Sequence, residues 1–136
     1  MYKLDNLELE NLVKRISKLK YVSAIFLFGS QVNWNARNDS DFDIAVLTKN
    51  SSYDEEMNII GYGNDKFDVK VFSRLPLIIK FRVFKEGKVV FCRNEKDVYD
   101  TKVVIFKHYL DFAPVIDRFY RRVIENVKKR VKWLKT

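Results

Sequence analysis

Two aspartates one residue apart, Asp41 and Asp43, are the most concentrated potential for chemistry in this 136-residue chain. They flank Phe42 at the start of an apolar run, Phe42 to Thr48 (FDIAVLT), that reads as a β-strand. Alternate residues of a strand share a face, so both carboxylates point one way while Phe42 and Ile44 point the other. Like charges this close repel. A divalent cation removes the objection, because two carboxylates make a platform for Mg²⁺ that water and substrate phosphates complete. Taken alone, an Asp-x-Asp is more often the solvated polar edge of a strand.

Gly29-Ser30 changes that balance. The pair directly follows Tyr21 to Phe28 (YVSAIFLF), a short aromatic and β-branched run that reads as a buried strand. It falls at the expected start of a short helix reaching to about Trp34, where unpaired N–H groups and the helix dipole attract phosphate. Glycine lets a ligand approach the backbone closely, and the serine hydroxyl adds a donor. A Gly-Ser turn by itself is commonplace. Phosphate donors after one strand and paired carboxylates at the start of the next form a far more specific pattern.

The remaining elements must hold these groups in place. Residues 5–19 read as a helix, with Leu9, Leu12, Val13, Ile16 and Leu19 on one face and Asp5 and Glu8 resembling a capping box. Asn35 to Ser40 is turn chemistry. Residues 50–65 are mostly loop, with a short helix near Tyr53–Ile60. Lys66 to Phe72 (KFDVKVF) alternates as a third strand and carries Asp68. A helix is expected over 75–85 after Pro76, and a short strand over Lys88 to Cys92. From about Glu95 the chain reads as two helices with a break at Ala113-Pro114, because proline disfavours helix in the residue before it. The order implies a single α+β domain over 1–136: a catalytic core over 1–94, with a small mixed β-sheet and helices on one side, and a helical tail over 95–136.

Composition narrows the chemistry. The chain is 47% hydrophobic and 15% aromatic, with four Gly and two Pro, so it folds around a real core. A single cysteine, Cys92, excludes an internal disulfide, and one histidine, His108, excludes a multi-histidine metal site. Any metal is therefore held mainly by oxygen, which selects Mg²⁺ or Mn²⁺. The N-terminus does not read as a signal peptide and no apolar run spans a membrane, so a cytoplasmic protein is expected. The net charge is +8, and most of it lies between Asp117 and Thr136, where eight basic residues oppose Asp117 and Glu125. That face is either solvated or a docking surface for nucleic acid or an acidic partner, and a basic helix alone does not name which.

The segment from Phe28-Gly29-Ser30 through Ser40-Asp41-Phe42-Asp43-Ile44 resembles the signature of the DNA polymerase β-type nucleotidyltransferases, in which Gly-Ser is followed at this spacing by Asp-x-Asp. The small size is similar to the minimal nucleotidyltransferases (MNT). The resemblance implies that Gly29 and Ser30 hold the nucleotide phosphates and that Asp41 and Asp43 bind Mg²⁺. It also implies a third carboxylate on a later strand; Asp68 fits that place better than Asp65, which precedes the alternation. Many members carry Arg after Gly-Ser and Gly three positions on, where this chain has Gln31 and Trp34. Gly87 to Cys92 and Tyr109 to Pro114 resemble the tail of MNT antitoxins encoded beside HEPN-domain ribonuclease toxins. The resemblance then implies transfer of AMP from ATP to a tyrosine of such a toxin, with homo- or hetero-oligomers left open. The rival readings are transfer to a small molecule and neutralisation of the toxin by binding with little or no catalysis.

Overall fold

The structure, a computed structural model, describes residues 6–29 and 42–134. Its elements in chain order are α1 (Leu7–Ser17), β1 (Val22–Phe28), β2 (Phe42–Thr48), α2 (Tyr53–Ile60), β3 (Phe67–Val71), a 3₁₀ turn (Phe72–Arg74), α3 (Leu77–Glu86), β4 (Lys88–Cys92) and α4 (Glu95–Leu134). The four strands form one sheet in the order β3-β2-β1-β4. β1 pairs antiparallel with both β2 and β4, while β2 and β3 are parallel. A parallel pair cannot be closed by a tight turn, and α2 supplies the crossover. Its start is fixed by a capping box: Ser52 Oγ accepts from the Glu55 N–H at 3.2 Å, and Glu55 Oε1 accepts from the Ser52 N–H at 2.9 Å.

Strand alternation sorts the core into two layers. Ile25, Leu27, Ile44, Val46, Phe67, Val69 and Val71 face Leu9, Leu12, Val13 and Ile16 of α1 and Ile59 of α2. Ala24, Phe26, Ala45 and Leu47 face the other way, toward Phe72, Val83 of α3 and Ile105 of α4. Phe84 meets both Phe26 and Phe72 edge-on at 5.3 Å, which locks α3 against this second face. The mixed sheet and helical tail are as the sequence implies. The structure adds that the helices cover both faces, because β1 and β2 are apolar on both.

Two local expectations are corrected. Asn6 caps α1, its side chain accepting from the Leu9 N–H at 3.1 Å, and Asp5 lies outside the described residues. α4 runs unbroken through Pro114 instead of splitting at Ala113-Pro114. Proline withholds one N–H from the helix, leaving the Leu110 carbonyl without its usual donor. Leu110 is 69% exposed, so water reaches that turn and the helix tolerates the loss.

Candidate functional site

The site is assembled by strand register at one end of the sheet. β1 ends at Phe28, which lies opposite Asp43 of β2, and Asp43 lies opposite Asp68 of β3. Adjacent strands are about 4.8 Å apart, so the two carboxylates neighbour each other on one face. That face is the one carrying Ala45 and Leu47, on the side of α3 and α4. The helices cover it over β1, while β3 alternates between buried and exposed and keeps Asp68 and Lys70 in solvent. The face is therefore closed behind Phe28 and open beside Asp68.

Gly29 sets the approach between the first two strands. It adopts φ +86°, a backbone conformation that side chains disfavour. A Cβ built on it would fall 2.2 Å from Asp43 Oδ2 and 3.1 Å from Asp43 Cγ. The carboxylate of Asp43 thus rests directly against the glycine backbone. Asp43 is half-buried, and Asp68 forms an ion pair with Lys70 at 3.4 Å on the same strand face. Both members of that pair are about half exposed, so it positions charge more than it stabilises the fold.

Of the residues singled out in the sequence, Gly29, Asp43 and Asp68 are brought together. Ser30, Asp41, Gln31 and Trp34, with the expected short helix from Gly29 to Trp34, lie outside the described residues. Asp65 sits exposed in the bend before β3, out of the strand register that aligns Asp68 with Asp43. Among the described residues, no group of three or more His, Cys, Asp or Glu side chains could hold a metal ion. Three further residues border the site. Lys70 follows from the alternation of β3, which puts it on the same face as Asp68. Arg82 and Glu86 of α3 line a cavity of about 130 Å³ with Phe28, Gly29 and Ile79. Their sequence gives no sign of this, because it depends on how α3 packs across β1.

His108 is exposed on α4 and Cys92 is half-buried in β4. Tyr109 packs flat against Phe81 of α3 at 3.8 Å. Among the described residues no helix is long and apolar enough to cross a membrane.

With this geometry in view, the comparisons converge. The family described as "Polymerase beta, Nucleotidyltransferase" matches residues 10–96. A Methanocaldococcus jannaschii protein, provisionally named a protein adenylyltransferase, is 28% identical over 106 residues, covering 77% of this chain and 78% of that protein. A chain from a toxin–antitoxin crystal structure with AMP-PNP superposes with a TM-score of 0.67 at 17% identity, covering 89% of this chain and 99% of that one. A chain from the complex of a tri-AMPylated Shewanella oneidensis HEPN toxin with an MNT antitoxin superposes with a TM-score of 0.62 at 17% identity, covering 87% and 99%. At these identities the two structural likenesses establish the fold.

Proposed function

Because the chain belongs to the polymerase β-type nucleotidyltransferase family, we propose that it moves AMP from ATP to a hydroxyl of a partner protein. The acceptor we infer is a tyrosine of a HEPN-type toxin, for which this chain acts as the antitoxin. The observation that carries the reading is the register Phe28–Asp43–Asp68, which sets two carboxylates beside a glycine with no room for a side chain. The 28% identical relative named for protein adenylyltransfer and the AMPylated toxin in one structurally similar complex support a HEPN-type protein as the acceptor.

In this reading the turn at Gly29 and Ser30 holds the triphosphate, with the Ser30 hydroxyl donating to it. Asp43 and Asp68, with Asp41, would hold Mg²⁺ or Mn²⁺; the donors are hard carboxylate oxygens, which suit these cations, and Asp43 and Asp68 lie side by side on adjacent strands. When bound, the cation neutralises phosphate charge and favours departure of pyrophosphate. The acceptor hydroxyl attacks the α-phosphate in line with the leaving oxygen, and AMP becomes bonded to the acceptor. A tyrosine of pKa ~10 must lose its proton in that step. We assign its acceptance to Asp68, which is half exposed on the open side of the site. Lys70, paired with Asp68, provides a positive charge beside the incoming phosphates.

The test is incubation with labelled ATP, Mg²⁺ and the purified HEPN-type protein encoded in the same genome. Label should pass to that protein and disappear with Asp41→Asn or Asp43→Asn. Gln31, standing where many members have arginine, keeps one rival in play: neutralisation by binding. Protection of cells by Asp43→Asn equal to wild type would favour that rival and overturn the enzymatic reading.

A further inference from the structure

α4 is 40 residues long, about 60 Å at 1.5 Å per residue, far more than the domain can cover. Its first part is anchored. Asp97 accepts from Ser23 Oγ at 3.2 Å near the start of β1, and Ile105 is buried in the core beneath α3. From Asp97 to Tyr109 the helix rises about 18 Å, close to the roughly 20 Å that β1 spans from Ser23 to Gly29. Tyr109 then stacks on Phe81, the neighbour of Arg82, which lines the cavity beside Gly29. The helix therefore leaves the domain at the end of the sheet where Gly29 and Asp43 meet.

Beyond that point the stripe continues with Ala113 and Ile116 half-buried and its other apolar residues exposed. Phe112, Val115, Phe119, Val123, Val127 and Val131 are between 42% and 61% exposed. Their spacing of three or four residues prolongs the stripe on which Ile105 is buried and Val98 half-buried. The charge changes at the same place. Residues 95–116 carry Lys96, Lys102 and Lys107 against Glu95, Asp97, Asp100 and Asp111, a net −1. Residues 117–136 carry eight basic side chains against Asp117 and Glu125, a net +6. This segment is thus an apolar stripe flanked by positive charge.

We propose that residues 110–134 are a docking arm for the protein acceptor: they lie in an apolar groove rimmed with acidic side chains and bring its hydroxyl to the site. The inference rests on the reading of the site as a protein adenylyltransferase and names how that acceptor is recognised. Charge selects the occupant. A second copy would bring two arms of net +6 together, which like-charge repulsion opposes. A nucleic acid would neutralise the basic flanks and leave the apolar stripe in water, which does not account for it. An acidic protein groove satisfies both halves of the surface, as amphipathic helices do in hydrophobic grooves.

The test uses the full chain, with Phe119→Asp/Val123→Asp and separately Arg118→Glu/Arg122→Glu/Lys129→Glu, folding being checked by circular dichroism. Calorimetry without nucleotide measures binding to the HEPN-type protein of the same genome, and labelled ATP measures transfer to it and to a tyrosine amide. Loss of two central apolar anchors should weaken binding by about 100-fold and raise KM for the protein acceptor to match. Transfer to the tyrosine amide should stay within about twofold, because neither residue is near the site. The charge variant should lose most of the salt dependence of binding. Wild-type affinity in both variants, or no wild-type binding, overturns the arm. So does a wild-type dimer that the variants dissolve, or displacement of the partner by duplex RNA. If the variants lose binding but wild type labels neither acceptor, the arm stands and the transfer reading falls. If both acceptors are labelled and the variants bind normally, the reverse holds.

Discussion

Gly29→Ala tests the geometry of the site apart from its chemistry, because its cost follows from the backbone conformation and the carboxylate beside it. Residue 29 sits at φ +86°, and a non-glycine residue in the left-handed region pays about 1–2 kcal/mol. The new Cβ would also lie 2.2 Å from Asp43 Oδ2. The carboxylate must rotate away, and an off-rotamer side chain costs about 0.5–1.5 kcal/mol. Together these give about 2–3 kcal/mol. At about 3–5 °C per kcal/mol for a domain of this size, Tm should fall by roughly 10 °C.

The two contributions can be told apart. In an Asp43→Ala background the Oδ2 and Cγ contacts vanish, and the remaining contact, 3.2 Å to Asp43 Cβ, is tight but tolerable. Gly29→Ala should there cost only the backbone term, so a double-mutant cycle should return a coupling of about 1 kcal/mol. Urea denaturation of the four proteins measures it. Transfer by Gly29→Ala at a temperature where it is folded should drop about 100-fold, since displacing a reacting group by about 1 Å costs that much. A destabilisation below about 0.5 kcal/mol, or the same cost in both backgrounds, would mean that Asp43 does not rest on Gly29.

Asp43→Asn and Asp68→Asn should each lower transfer of AMP by about 100-fold or more. Asp68→Asn should leave stability within about 0.5 kcal/mol in urea denaturation, because its ion pair with Lys70 is half exposed. Mg²⁺ should raise Tm in a thermal melt, chelation should reverse the rise, and Asp43→Asn should abolish it; an unchanged response in that variant would remove Asp43 from the cation's ligands. Ile105→Ala, at a buried anchor of α4, should cost about 2–5 kcal/mol. Val123→Ala, 42% exposed on the same helix, should fall within about 0.5 kcal/mol, and equal costs would mean that the whole of α4 packs on the domain. Pro114→Ala should restore a donor to the Leu110 carbonyl and slow amide exchange over residues 110–118 without raising the Tm of the domain.

The sheet was legible because its strands are short, apolar and bounded by turn residues. Val22–Phe28, Phe42–Thr48 and Lys88–Cys92 emerge almost at the limits their composition sets. Asp68 was legible for a related reason: in FDVKV the alternation alone decides which residues share a face, and parallel pairing then sets Asp68 beside Asp43. The pairing partner itself was not legible. Nothing in residues 67–71 says that β3 lies beside β2 instead of β4; the α2 crossover decides it. Arg82 and Glu86 were invisible for the same reason, since their place beside Gly29 comes from α3 crossing β1.

α4 misled the sequence reading at Ala113-Pro114, and the reason bears on what the helix is for. A proline usually ends a helix because the lost N–H and the ring clash outweigh the gain of continuing. Continuing is worthwhile only where the residues beyond the proline keep a useful face in line with those before it. In α4 they do: Val98 and Ile105 on the buried side give way to Phe112, Phe119 and Val123 on the same stripe, in water. Cutting the helix at Pro114 would break that alignment while exposing the same apolar atoms. The proline therefore sits where the domain stops covering the helix and solvent can satisfy Leu110, the position at which its cost is least. An apolar stripe kept straight through such a residue, and pointed past the end of the sheet where Gly29 and Asp43 meet, is what the proposed docking arm requires.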